Sequence, residues 1–275
     1  MLSKHISALL VASCLLTACG GDNSTPTSDP TPTAAEQAYS GKTGDATVNA
    51  SNAGHFPKAA FATRDYTISS AAIESWLTQY KGADTITCAN AGTVTVERNV
   101  DTTTMLGSKT LTFANNCTAN AVSLTGKMTI KVTAYDMASS QVTAMDVSYH
   151  NLAQHRNGKS VTLNGTLSAA QDLSAKTASF DIDTQMKADT GEESLTMMKV
   201  TVSGNMSDRS ANSTYSGKVC LKDDGCVQLT TATPFQVNYN GYAVAGEMLV
   251  KGAGNTQAKV AAQDNSAMVN VSLAN

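Results

Sequence analysis

The chain has 275 residues, 41% of them hydrophobic and only 5% aromatic, with 19 basic against 22 acidic side chains and a formal net charge of −3. Nothing in that balance suggests nucleic-acid binding, which calls for a basic patch or stripe. After the amino-terminal segment no apolar run reaches the roughly 20 residues that a spanning helix needs.

Lys4 and His5 form a short polar start, and Ile6 to Leu16 follow as an almost unbroken apolar stretch. A short positive start, a short apolar centre and small residues at its end describe an export signal. The ending Leu16-Thr17-Ala18-Cys19 resembles the lipobox of bacterial lipoproteins. That resemblance implies cleavage between Ala18 and Cys19, a diacylglyceryl group on the Cys19 thiol and an acyl chain on the new amino end. More than one acyl chain makes a stable anchor, whereas a single chain holds marginally. Cys14 lies inside the apolar run and is expected to leave with the signal. Gly20 stands at the position after the lipid-bearing cysteine, where Asp retains lipoproteins in the inner membrane of enteric bacteria. The outer membrane is therefore the favoured location, with the leaflet open. Residues 1–18 are the expected signal peptide; losing them, with Lys4, leaves 257 residues with 18 basic against 22 acidic side chains.

Residues 19–40 form the expected tether. Three of the chain's five prolines (Pro26, Pro30 and Pro32) stand there among Thr, Ser, Asp and Asn, without apolar periodicity. Such a tract cannot bury enough surface to offset its ordering entropy and is expected to be flexible and partly extended. Residues 41–275 then suffice for one large domain, since all-β domains of this length often form a single unit.

"SSAAIESWLTQYKG" is the one segment with helical spacing. Ile73, Trp76, Leu77 and Tyr80 share a face, Ser69 or Ser70 is placed to cap the start, and Gly82 to end it. Beyond it the period changes to two. In "VSLTGKMTIKV" Val122, Leu124, Met128, Ile130 and Val132 alternate with Ser123, Thr125, Lys127, Thr129 and Lys131. "KTASFDIDTQMKA" repeats the pattern, with Ala178, Phe180, Ile182 and Met186 on the apolar face. This is the mark of half-buried strands, and antiparallel sheets tolerate one solvated face. Related segments begin at Val122, Val161, Val200 and Tyr242, at intervals of 39, 39 and 42 residues, with "YSGKV" from Tyr215 as a partial copy. A fixed period suggests a duplicated two-strand unit. Each full copy holds a glycine on its apolar face, Gly126, Gly165, Gly204 and Gly246. A recurrent strand glycine points to bulges, bends or close approach, here a sheet curling around its apolar side. The fold expected is all-β: one large antiparallel up-and-down sheet, strongly curled or an open barrel, with one short covering helix.

Four cysteines remain in the body, Cys88, Cys117, Cys220 and Cys226. An even count in an exported chain reads as two disulfides in one of three pairings. The local pairing is favoured, because "CLKDDGC" reads as a hairpin that brings Cys220 opposite Cys226 and leaves Cys88 to Cys117. Four thiolates on zinc would call for CxxC knuckles, which are absent.

The run "CANAGTVTVE…KTLTFANNCT…VSLTGKM", closing with "YAVAGEMLVKGAGNTQAKVAAQDNSAMVNVSL", resembles uncharacterised proteobacterial lipoproteins over most of residues 85–275. The shared motifs are structural: a Cys-x₂₋₃-Gly-Thr-Val start, a Phe-x-Asn-Cys strand end, and later Asn-Gly or Ser-Gly strands. The family carries no established activity, so the resemblance implies an architecture and no chemistry.

The search for chemistry returns little. His150 and His155 in "HNLAQH" are five apart, not the four that aligns two imidazoles on a helix, and five apart in a strand they face opposite ways. "SGKT" (Ser40 to Thr43) and "NGKS" (Asn157 to Ser160) lack the earlier glycine of a phosphate loop, with Glu36 and Ala153 in its place, and read as turns. Asp181 and Asp183, with Lys187 nearby, read as the solvated face of a strand. No nucleophile elbow, metal cluster or cofactor loop is found, so no catalysis, metal or dissociable cofactor is expected. Met128, Met206 and Met248 follow three of the repeat glycines by two positions on the apolar face. They read as core filler. Their sharper reading, with Trp76, is the lining of a site for a lipid or other apolar ligand. The expected role is thus a structural or interaction lipoprotein, held to the membrane by its anchor and meeting an envelope protein. Its rival is a carrier of hydrophobic molecules, on a fold-level analogy with lipoprotein-localisation factors.

Overall fold

The computed structural model describes residues 31–71, 84–119, 122–156, 158–204, 211–237, 243–262 and 269–274. A short helix α1 (Ala34–Ala38) and a longer helix α2 (His55–Ala71) precede thirteen strands. These are β1 (Thr85–Thr87), β2 (Ala91–Val100), β3 (Gly107–Ala119), β4 (Val122–Asp136), β5 (Gln141–Arg156), β6 (Lys159–Asp172) and β7 (Thr177–Ala188), followed by β8 (Glu193–Ser203), β9 (Ala211–Leu221), β10 (Gly225–Val237), β11 (Ala243–Lys251), β12 (Gln257–Ala262) and β13 (Val269–Ala274). They form one antiparallel sheet in strict chain order, β1 to β13. The sheet is not closed, since no pairing joins β1 to β13 among the described residues.

The alternation seen in the sequence is the alternation of burial. In β4, Val122, Leu124, Met128 and Ile130 are buried, and in β7 Ala178, Phe180 and Ile182 are. They join one core cluster that takes inward side chains from every strand from β1 to β12, together with α2. On that face α2 lies over β6, β7, β8 and β9.

A covering helix is present, and its described part lies earlier in the chain than the apolar spacing indicates. The expected segment from Ile73 to Gly82 lies outside the described residues, and Ser69 and Ser70 are interior residues near the end of α2, not caps. The helix spans seventeen residues, His55–Ala71. It follows a turn in which the Asn49 carbonyl accepts from Ala53 N (3.0 Å) and that of Asn52 from His55 N (2.9 Å). Pro57 falls in the first turn, where its missing N–H leaves no helical bond unmade. The buried face of α2 is Phe56, Ala60, Thr63, Thr67, Ser70 and Ala71, mostly small or hydroxylated side chains. Thr67 Oγ1 donates to the Thr63 carbonyl (2.9 Å), Tyr149 of β5 donates to the Thr67 carbonyl (2.8 Å), and Gln154 Nε2 donates to Ser70 Oγ (3.3 Å). The buried hydroxyls thus find partners.

The recurrent glycines sit where the ladder slips. Gly126 (φ 109°) faces the bulge of β3 between Phe113 and Cys117 on one side. On its other side the register with β5 shifts at Asn151, whose φ is 46°. Gly165 faces the same β5 bulge from β6, and Gly246 lies at a shift against β10. Bulges bend a strand and increase its twist. The duplication is looser than the spacing suggests. The first three copies lie on β4, β6 and β8, which run the same way two strands apart, whereas the fourth lies on β11, three strands from β8 and reversed. Gly204 stands just beyond the end of β8.

The β5 bulge also revises the histidines. The extra residue puts His150, opposite Lys127, and His155, opposite Ser123 and Ser160, on the same solvent-facing side. Both are exposed, and His155 Nδ1 lies 2.8 Å from Ser160 Oγ.

Both disulfides follow the local pairing. Cys88 joins Cys117 with Cα atoms 5.4 Å apart, and Cys220 joins Cys226 across the β9–β10 hairpin, where the two are register partners.

Candidate functional site

The expected tether is folded over its last residues. Thr33 caps α1 in a reciprocal box: Glu36 N donates to Thr33 Oγ1 (3.2 Å) and Thr33 N to Glu36 Oε2 (2.8 Å). Ala35 and Tyr39 then bury themselves against Leu195, Cys220 and Cys226, with Met197 at the border, on the face of the sheet opposite α2. Gly165 makes the approach possible, since a Cβ there would lie 2.9 Å from that of Ala35. Two helices therefore cover the same strands from both sides, and four consecutive residues of β8, Glu193 to Thr196, are buried.

The segment after α1 is clamped. Ser40 gives Glu193 two hydrogen bonds, from its N–H (3.0 Å) and its hydroxyl (2.5 Å), and Gln185 Nε2 gives a third (3.0 Å). Burial works to raise the Glu193 carboxyl, but the bonds from Ser40 and Gln185 and the charge of Lys187 bring it below its ordinary value. Lys42 N donates to the Lys222 carbonyl (3.0 Å), and Cys226 exchanges backbone bonds with Gly44 (2.9 Å) and Ala46 (2.7 Å). "SGKT" is thus a docked crossing, not a phosphate loop. The chain next rounds the end of the sheet, and Ala46 and Val48 enter the core on the α2 face.

Beside the start of α1 lies a shallow open groove of about 440 Å³, lined by Thr166, Ser168, Asp181, Asp183, Met197 and Lys199. Asp181 is exposed, as expected of a solvated strand face, but Asp183 is half-buried. Burial pushes its carboxyl upward, the Thr33 hydroxyl bond pulls it down, and the Glu36 charge pushes it up again, for a net rise. Its Oδ1 is enclosed and has no hydrogen-bond partner. The groove offers carboxylates and one ammonium to a polar or cationic group.

The other expected site residues divide. Met128 and Met248 are fully buried in the core cluster, the former between Leu111 and Tyr149 across the sheet. Cys19, Trp76 and Met206 lie outside the described residues. Among the described residues no three His, Cys, Asp or Glu side chains are grouped to hold a metal ion, and no helix is long and apolar enough to cross a membrane.

One feature had no sequence signal. Arg64 of α2 packs at 5.5 Å from the Phe61 ring and 5.7 Å from that of Tyr215, and it bonds the Tyr215 hydroxyl and the Asp65 carboxylate. Phe61, Tyr215 and Phe235 meet edge to face around it, with centroids 5.0 to 5.6 Å apart. A part-buried cation held by rings and a phenol stiffens the helix–sheet contact.

No known family model, curated protein or solved structure matches the chain.

Proposed function

We propose that the protein is a lipid-anchored lipoprotein of the bacterial envelope, of the kind its lipobox and strand motifs resemble, and that it serves there as a structural or interaction module without catalysis. The observation that carries this reading is Leu16-Thr17-Ala18-Cys19, a cysteine at the end of a short apolar run and followed by a polar, proline-bearing tract. The two disulfides fit an oxidising compartment such as the periplasm. Cys19 carries the diacylglyceryl group and the amino-terminal acyl chain, and Gly20 after it favours the outer membrane. The sheet curls around α2 as an open barrel; support comes from the main core cluster, which runs from Ile86 of β1 to Val260 of β12 and includes α2. The carrier reading has less support, because Met128 and Met248 spend their side chains in that cluster.

Detergent phase separation tests the anchor. The full chain made in a bacterial host is expected in the detergent phase with a fatty-acid mass on the Cys19 peptide, and Cys19→Ala in the aqueous phase. Equal partition of the two proteins refutes the anchor. Lipid that co-purifies with Cys19→Ala in native mass spectrometry would restore the carrier.

A further inference from the structure

The two ends of the sheet differ in a way that the lipoprotein reading, on which this inference rests, does not itself explain. At one end β2, β4 and β6 turn into β3, β5 and β7 by the same device. An Asp closes the ladder (Asp101, Asp136, Asp172), four residues follow, and the next residue pairs back with the Asp: Leu106, Gln141 and Thr177. The Asp carboxylate turns into its own loop. It accepts from Thr103 N and Thr104 N in the first, from Ala138 N and Ser139 N in the second, and from Ser174 N and Ala175 N in the third. The fourth loop residue is left-handed each time, Met105 at φ 60°, Ser140 at 54° and Lys176 at 51°.

With its polar groups satisfied locally, each tip presents one large apolar side chain to solvent. Met137 is 62% exposed, Met105 40% and Leu173 37%. Apolar residues scattered singly over a surface are ordinary, but these are not scattered. They are three of the four large exposed hydrophobic residues among those described, and the fourth, Leu273, is at the other end of the sheet. Successive tips are two strands apart, about 10 Å, so the three form a row about 20 Å long. The connections at the opposite end, such as Asp189–Glu192 and Lys222–Asp224, carry no large apolar side chain.

The amino end of α1 faces the side of the apolar tips. Along α1 the chain passes from Asp183, beside Thr33, to Glu193, beside Ser40, and so runs away from the Leu173 tip. The amino end of α1, at Thr33, is therefore the end nearer that tip. Asp183 is six residues from the tip end of β7, about 20 Å of strand. The fourteen residues from Cys19 to Pro32 reach up to about 46 Å when extended.

We propose that the three tips are a membrane-contact edge: the body stands on the bilayer that holds its anchor, with Met105, Met137 and Leu173 in the headgroup layer of zwitterionic phospholipid. The carboxylates of Asp101, Asp136 and Asp172 sit just behind them, so a surface rich in anionic lipid is disfavoured. The contact orients the body and puts the opposite, polar end, with the Cys220–Cys226 hairpin, farthest from the membrane.

Methionine oxidation reads this directly. The full chain in vesicles of saturated phosphatidylcholine and phosphatidylethanolamine is treated with chloramine-T, and sulfoxide formation at each methionine is followed by peptide mass spectrometry. The comparison is Cys19→Ala in buffer. Met105 and Met137 are expected to oxidise roughly tenfold more slowly on vesicles, as when about nine molecules in ten hold the tips out of water, while Met197, on the α1 face, keeps its rate. Unchanged rates at Met105 and Met137, or equal slowing at Met197, overturn the proposal. Slowing in buffer that grows with protein concentration also overturns it, by assigning the tips to a contact between proteins. An anchor failure shows separately, as a Cys19 peptide without fatty-acid mass. In that case vesicle flotation with protection of the two tip methionines still sustains the edge, and its absence overturns it.

Discussion

Replacing Gly126 with alanine isolates what the recurrent glycine does. At φ 109° an L side chain is strained, at a cost of about 1–3 kcal/mol. The added Cβ would lie 2.2 Å from the Asn151 carbonyl oxygen and 2.8 Å from its carbon. Both are backbone atoms of the β5 bulge, so a rotamer change cannot relieve the clash, and overpacking of this kind adds about 1–3 kcal/mol. Loss of unfolded-chain freedom returns about 0.4–1 kcal/mol, leaving a net destabilisation of about 3 kcal/mol. Two companions separate the terms. Gly158 has φ 73° and open space where its Cβ would stand, so Gly158→Ala should cost only the left-handed penalty less the entropy gain, about 1 kcal/mol. Gly44 has neither a positive φ nor a neighbour within 4 Å, so Gly44→Ala should be neutral or stabilising by about 0.5 kcal/mol. Urea unfolding followed by circular dichroism reads all three; with a slope of about 3 kcal/mol/M, Gly126→Ala should lower the midpoint by about 1 M. If Gly126→Ala falls level with Gly158→Ala, the bulge yields freely and the glycine does not set the bend.

The clamp on the amino-terminal segment makes two titrations of opposite sign. Glu193 is held low in the fold, so its stabilisation is full above the unfolded carboxyl value of about 4.3 and is lost as pH falls through the folded value. Ser40→Ala should therefore cost about 1.5 kcal/mol at pH 7 and progressively less in acid, read as converging melting temperatures. Asp183 is held high, so its favourable contribution is present below the unfolded value and lost as pH rises through the folded one. Asp183→Asn should accordingly raise the melting temperature at pH 7 and leave it unchanged near pH 3. Loop length ranks the disulfides. For separations of 29 and 6 residues, removing Cys88–Cys117 should cost about 3.6 kcal/mol and removing Cys220–Cys226 about 2.4 kcal/mol by chain entropy, measured by denaturant unfolding of the serine pairs.

What was legible in the sequence, and what was not, follows from how each element is stabilised. β4 and β7 announce themselves, because a half-buried antiparallel strand must alternate and Val122 to Val132 does. α2 does not, since its buried face is carried by Ala60, Thr63, Thr67 and Ser70, which hydropathy scores as surface. Those hydroxyls are interior because each finds a partner: Thr63 with Ser194 and Thr196, Thr67 with the Thr63 and Arg64 carbonyls, and Ser70 with Gln154. Counting residues puts the two histidines on opposite faces, and one bulge at Asn151 reverses the count. α1 had a visible signature, Thr33 with Glu36 three residues on, but it lies in a proline-bearing tract whose composition argued for a tether. The hairpin tips had one as well: Asp101, Asp136 and Asp172 recur at 35 and 36 residues. That near-repeat is separate from the glycine spacing of 39, because loop chemistry and strand bending are independent constraints on the same hairpins.

The placement of α1 has a mechanical consequence under the lipoprotein reading. A load on the anchor reaches the body at Thr33 and runs through five helical residues to Ser40. The resisting contacts are Ala35 and Tyr39 in a small cluster separate from the main core, and the Ser40–Glu193 bonds. Beyond them the chain is tied to Cys226 by backbone bonds on both sides of Asp45, and Cys226 is tied covalently to Cys220. A pull would thus peel α1 from the sheet and meet the disulfide-braced hairpin before it reached Ala46 and Val48 in the core. The α1 contacts and the polar clamp are the parts that yield first, and the α2 face, with Arg64 among its rings, lies across the sheet from the loaded segment.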